Sequence, residues 1–349
     1  EYDGSQDYDL FLRIVEKTDK ISHIERVLYH WRQTPTSTAG YLGNKSYAYA
    51  AGKKALEDSL RRRHIQGEVL DNPRVSTYLV KYAHTSPLVS IIIPMRDQAK
   101  VSRRCFESIY NTNKYTNFEV IVIDNGSTEQ STFDLFEEYK KHKNFRVVRD
   151  DSSFNYSRLN NLGVNHANGK YLLFLNNDTE IIQDDTLDWM VGYASQQHVG
   201  CVGIKLLYPD KIVQHAGVVL GFGGVAGHIY VANNYYDNGL FGRLVMPYNY
   251  TAVTAAFMMI SKDKFNTVNG FDEKLKVALN DVDFNLKELS AGYYNVCLSN
   301  VEAIHYESKS RGYEATAEKQ ERFKVEQEYM KNKWGEYLNL DKYFSKYNF

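Results

Sequence analysis

Cysteine is scarce in this 349-residue chain, and Cys105, Cys201 and Cys297 are the whole supply. An odd number at wide spacing builds neither a disulfide framework nor a thiolate metal site, so a reducing compartment is the expected setting. An excess of charge of either sign is lacking too. With 42 basic against 43 acidic residues the formal net charge is −1, so no global field draws the chain to nucleic acid or anionic lipid, and a charged ligand must be held by a local site. Long apolar runs are missing: VSIIIP at 89–94 and TAVTAAFMMI at 251–260 are the longest, far short of the ~20 residues that span a bilayer. These absences predict no nucleic-acid partner and no transmembrane segment. The expected location is the cytoplasm, with peripheral contact at the inner face of the membrane as its limit. Neither GxGxxG after the first strand nor GxxxxGK[ST] anywhere is present, which argues against a Rossmann dinucleotide site and a P-loop.

What the chain does have is core. Hydrophobic residues make up 43% and aromatic residues 14%, ample for a folded protein of about two domains at ~150 residues each. Residues 45–64 have helical composition, and LDNPRV then breaks the pattern, so a boundary is predicted between there and Pro87. From VSIIIP onward, continuous β-branched runs alternate with helical stretches. The predicted order is strand 89–94, helix 102–111, strand 118–124, helix 131–142, strand 145–148, helix 157–167 and strand 170–178. Such alternation implies an α/β fold with a mainly parallel sheet whose ligands bind outside the carboxyl ends of the strands. Polar residues collect at those ends: Asp97 after the first strand, Asp124-Asn125 after the second, Asn176-Asn177-Asp178 after the fourth. Side-chain acids and amides in that position suit a base and ribose, with a divalent cation neutralising a diphosphate.

The segments LVSIIIPMRD, FEVIVIDNGST, FNYSRLNNLGVNHANGKYLLFLNNDTEI, TAAFMMISKDKFNTVNGFDE, NDVDFNLK and HYESKSRG, in this order over residues 87–312, resemble the inverting family 2 glycosyltransferases of GT-A fold, a mixed, mainly parallel Rossmann-like sheet flanked by helices. The resemblance implies a transferase that moves a hexose from a nucleoside-diphosphate sugar, UDP-sugar favoured, to a hydroxyl of a glycan or glycoprotein. It implies that Pro94, Asp97 and Asp124 line the base and ribose pocket and that Asn161 lies near the donor. It puts Asn176-Asn177-Asp178 in place of the metal motif, with Asp178 as ligand, Asp281 in place of the catalytic base and His305 in the position that completes the metal site. Mn2+ or Mg2+ is the implied cation. The family's first metal-motif acid is an amide here, Asn176, which lowers the negative charge of that site. Two other readings stay open: a catalytically silent glycan-binding or scaffold domain, and a nucleotidyltransferase, for which MRDQAKVSRR at 95–104 lacks the glycine a triphosphate loop needs.

Asp281 falls in the first turns of a predicted helix, where the dipole favours its ionised form by ~0.3–1 kcal/mol; Asp283 is expected to be structural. His215 and His228, in the Gly-rich stretch QHAGVVLGFGGVAGHIY, and the tyrosines of 230–250 are read chiefly as packing residues, with the acceptor side as their functional alternative. Residues 315–340 read as an amphipathic helix, with Phe323, Val325, Tyr329 and Trp334 as its apolar positions.

One phrase occurs twice. QDYDLFLR at 6–13 matches NDVDFNLK at 280–287, and His30 follows Asp7 by 23 residues as His305 follows Asp281 by 24. Duplication is the implied origin. The expected organisation is 1–86 as the closing part of a preceding glycosyltransferase domain plus linker, 87–312 as a GT-A domain and 313–349 as a helical extension, the C-terminal module of a tandem bacterial enzyme. Asp7 and His30 are then expected to be idle, and the apolar surface of the first part to invite a homo-oligomer.

Overall fold

The computed structural model describes residues 2–345, apart from 23, 25, 31–45, 223 and 307–315. The chain divides into two compact units, Glu1–Ala83 and His84–Phe349.

In the first unit, α1 (Gln6–Val15) packs on α2 (Ser46–Arg62), and β1 (Gly67–Asp71) pairs antiparallel with β2 (Tyr78–Tyr82). Glu16, just beyond α1, binds Arg62 through both carboxylate oxygens and accepts from Ser59 Oγ, which fastens the two helices. The Arg62 guanidinium holds the Glu16 carboxyl down at about 2. The hairpin was not expected: its turn, 72–77, overlaps the LDNPRV stretch at 70–75 that breaks the helical pattern.

The second unit is built on β3 (Val89–Met95), α3 (Ala99–Glu107), β4 (Phe118–Asp124), α4 (Gln130–Tyr139), β5 (Phe145–Arg149), α5 (Tyr156–Asn165), β6 (Tyr171–Leu175), β7 (Thr179–Ile181), α6 (Thr186–Ala194), β8 (Val199–Leu207), β9 (Val213–His215), β10 (Val218–Leu220), β11 (Ala226–His228), β12 (Pro247–Tyr250), β13 (Phe257–Ser261), α7 (Lys262–Thr267), α8 (Asn280–Ser290), β14 (Tyr294–His305) and α9 (Ala317–Trp334). Its main sheet runs β12-β14-β8-β13-β6-β3-β4-β5. The half β6-β3-β4-β5 is parallel, and every residue of β3 and β6 is buried, as continuous apolar runs covered on both faces require. β13 enters antiparallel between β6 and β8, while β14 runs parallel to β8. The apolar stretch 251–260 is therefore strand only from Phe257; residues 251–256 take an irregular path to the rim.

Two connections position that rim. Gly163 lets α5 lie directly on β3, since a Cβ there would collide with the Ile92 side chain. Beyond Asp178, β7 pairs with the end of β14, setting His305 opposite Thr179. The Gly-rich stretch forms β9 and the β10–β11 hairpin, with His215 fully buried, as the packing reading requires. α9 departs from its expected apolar face: Val325 is exposed, and the buried positions are Glu326 and Met330. No helix among the described residues is long and apolar enough to cross a membrane.

Candidate active site

A cleft of about 450 Å³ opens at the carboxyl ends of β3 and β6. Pro94, Asp97, Asn176, Asn177 and Asp178 line it, together with Asn125, Tyr156 and two residues of α9, Lys319 and Arg322. Its size falls within the range of small-molecule sites. Asp97 and Gln98 both have left-handed backbone, at φ 53° and 61°. Strain of this kind persists only where the surroundings fix it. Here Asp97 Oδ1 accepts the N–H groups of Thr128 and Glu129, and Ser127 Oγ accepts the Asp97 N–H. Those backbone donors keep the Asp97 carboxyl below its ordinary value despite the opposing effect of burial.

Asp124 and Asn161 stand apart from the cleft lining. Asp124 accepts from Arg149 at 2.6 Å and from Ser127 N–H, so it braces the loop after β4. Its neighbour Asn125 reaches the cleft and donates to the carbonyls of Asp150 and Ser152. Adjacent residues leave a strand in opposite directions, and here Asn125 rather than Asp124 lines the cleft. Asn161 spends its side chain on Phe271 N–H, Phe271 C=O and Glu273, holding the 271–273 loop against α5.

Asp178 and His305 meet at the rim. His305 Nε2 lies 3.1 Å from Asp178 Oδ1, and its Nδ1 lies 2.6 Å from Gln214 Oε1. A neutral ring has one proton for these two contacts. If it serves Asp178, the Gln214 amide turns to donate to Nδ1; if it serves Gln214, Nε2 faces the carboxylate with a second ring proton or a cation beside it. A metal-ligating histidine typically donates its other N–H to a fixed partner, and Gln214 fills that place. Asn176 Nδ2 lies 3.4 Å from Nε2, and no cluster of three or more His, Cys, Asp or Glu occurs among the described residues. The pair thus fits a hard divalent cation that takes its remaining oxygens from a substrate. Next to it, His215 Nδ1 lies 3.2 Å from His228 Nδ1. Burial, then the neighbouring His228 and His305, push the His215 imidazolium well below its ordinary value, so the ring stays neutral.

Asp281 lies in the first turn of α8, partly buried, with Oδ1 accepting Val282 N–H at 2.8 Å and Oδ2 accepting Ala255 N–H at 3.2 Å. It is not itself a lining residue, but one backbone unit joins it to the wall: the Ala255 C=O accepts from the Tyr156 hydroxyl, which lies 3.4 Å from Asn176 Oδ1. Asp283 is fully buried and points the other way, bonded to Lys333 at 2.8 Å and Trp334 Nε1 at 2.7 Å. It holds α9, a structural role. HYESKSRG beyond Tyr306 lies outside the described residues. Sequence reasoning missed Gln214, Lys319 and Arg322, all far in the chain from the strand ends; the i, i+3 spacing of the two bases is the one local signal they carry.

Residues 90–268 match the family model Glycosyl transferase family 2, about half of the chain. The chain belongs to that family. It is 45% identical over 339 residues to the uncharacterized protein y4gI of Sinorhizobium fredii, and 36% identical over 319 residues to the O-antigen biosynthesis protein RfbC of Myxococcus xanthus. These alignments cover 95% and 91% of this chain but only 37% and 25% of the two relatives, so the chain spans a minor part of their length. Among solved structures, GalNAc-T7 with UDP, GalNAc and Mn2+ aligns at a TM-score of 0.55 and 16% identity, covering 68% of this chain and 47% of that one. The mannosyltransferase PcManGT of Pyrobaculum calidifontis, with GDP-Man and Mn2+, aligns at 0.53 and 17%, covering 82% and 74%. Both likenesses establish the GT-A fold.

Proposed function

We propose that the chain catalyses inverting transfer of a hexose from a nucleoside-diphosphate sugar, with UDP-sugar favoured, to a hydroxyl of a glycan or glycoprotein. The observation that carries this is the cleft at the ends of β3 and β6, where Asp97, Asn176, Asn177 and Asp178 converge inside the family match. Pro94, Asp97 and Asn125 take the base and ribose, and the donor's phosphates lie toward Asp178 and His305. Those two residues hold Mn2+ or Mg2+, which neutralises the departing diphosphate when bound. With two protein ligands among the described residues, the ion is held together with the nucleotide rather than before it.

Asp281 takes the proton of the acceptor hydroxyl. Both of its oxygens are oriented by main-chain N–H groups, and the helix start favours the carboxylate. Base assistance of this kind is worth about 10²–10⁴-fold. Attack from the face opposite the leaving diphosphate inverts the anomeric configuration. The name of the Myxococcus relative favours a surface-polysaccharide glycan over a protein as acceptor. The test is a panel of UDP-, GDP- and dTDP-sugars with Mn2+ or Mg2+, read by nucleotide release and by NMR of the product's anomeric centre. Release with none of them, or retention of configuration, overturns the reading. Binding of nucleotide without turnover by any donor would favour the silent scaffold domain instead.

A further inference from the structure

The roof of the cleft comes from α9, a helix outside the family match at 90–268. Resting on the donor-site reading above, we propose that Lys319 and Arg322 bind the diphosphate of the nucleotide sugar, so that α9 completes the donor site. Three observations carry this. Both side chains line the cleft from one face of the helix, three residues apart and half-buried. Charge leaves room for them: a divalent ion beside the single Asp178 carboxylate keeps one net positive charge, which offsets only part of a doubly charged diphosphate, and although Asn176 in place of a carboxylate narrows that gap, bases are still needed to close it. An ammonium and a guanidinium suit phosphate oxygens, the guanidinium through paired hydrogen bonds.

The third observation is that α9 is locked in register with the site. The buried Glu326 accepts the N–H groups of Lys276, Val277 and Ala278, with Arg322 Nε 3.9 Å away from its carboxylate. Val277 is itself a wall of the cleft. Farther along, Lys333 sits between Asp272 at 2.7 Å and Asp283 at 2.8 Å, and Asp283 belongs to the helix that carries Asp281. One helix thus carries two bases into the donor cleft while being bonded to the loop and helix that present the proton acceptor.

The experiment titrates the full chain with UDP and, separately, with uridine in the presence of Mn2+, for wild type, Lys319→Gln, Arg322→Gln and the double variant. Each single change is expected to weaken UDP binding about tenfold and the double change about a hundredfold, with uridine affinity and Tm unchanged. Arg322→Lys is expected to recover part of the loss. UDP affinity within twofold of wild type in the double variant, or parallel loss of UDP and uridine binding, overturns the proposal. If wild type itself binds none of UDP, GDP or dTDP, the donor-site reading falls and this proposal with it, an outcome already visible before any variant is made.

Discussion

The helices α1 and α8 carry the same phrase and almost nothing else in common. In both, the first aspartate accepts the N–H of the next residue at 2.8 Å, Tyr8 for Asp7 and Val282 for Asp281. Local sequence dictates that much. Asp281 then gains the Ala255 N–H, whereas Asp7 is exposed and has no second donor among the described residues. Asp9 is buried like Asp283, but it meets Arg13 and Arg62, whereas Asp283 meets Lys333 and Trp334. Leu10 is 56% exposed, and its counterpart Phe284 is fully buried among Phe265 and Phe271. His30 is exposed, and His305 is clasped between Asp178 and Gln214. A repeated phrase reproduces a helix; what sets α8 apart is its partners, the irregular segment at Ala255 for Asp281 and α9 for Asp283.

The sharpest way to break this comparison is to neutralise both first aspartates. Asp281→Asn is expected to reduce turnover by about 10²-fold or more with nucleotide affinity kept, whereas Asp7→Asn leaves turnover within twofold. Equal effects would erase the distinction. Next, Asp283→Ala takes the carboxylate from Trp334 Nε1 and leaves Lys333 with Asp272 alone, and is expected to cost about 1–3 kcal/mol in a denaturant titration, with a smaller loss for Asp9→Ala. The histidines separate through Gln214: Gln214→Leu should raise the Mn2+ needed for half-maximal activity about 10–100-fold by freeing the His305 ring, and His30→Ala should leave it unaltered.

The smallest effect concerns Glu288, which stands where α1 has Ile14. Burial pushes its carboxyl up to about 8, only partly offset by Lys264 and Lys287. A carboxyl with a raised folded-state value binds its proton more tightly in the native state. Its contribution is therefore fully present below about pH 4.5 and is lost as pH rises through about 8. Wild-type Tm should fall between pH 5 and 9 by several degrees more than that of Glu288→Gln, at about 2–4 °C per kcal/mol for a unit of this size. Matching slopes in the two proteins would show that Glu288 is not the group responsible.

The parallel half of the sheet was legible because β3, β4 and β6 are uninterrupted apolar runs ending in polar loops, a pattern that local sequence carries in full. The helix start at Asp281 was legible for the same reason. Which side chain of a polar pair turns toward the ligand was not. Asp124 turns to Arg149, a residue 25 positions on, and Asn161 to Phe271, 110 positions on. The irregular path of 251–256 hides inside an apolar stretch with no break signal, yet it brings Ala255 between Asp281 and Tyr156. The turn at 72–77 reads as a break because the pairing of β1 with β2 depends on a register that no single segment displays.

The strand β14 begins a few residues after the helix that bears Asp281 and ends at His305, on the ladder that also fixes Asp178. The proposed proton acceptor and the proposed ion ligand are therefore the two ends of one short cassette, 280–305, tied together by covalent chain. Chimeras between family members should move that cassette whole, because a crossover inside it would mate Asp281 from one parent with the other's His305 across a ladder neither evolved to hold.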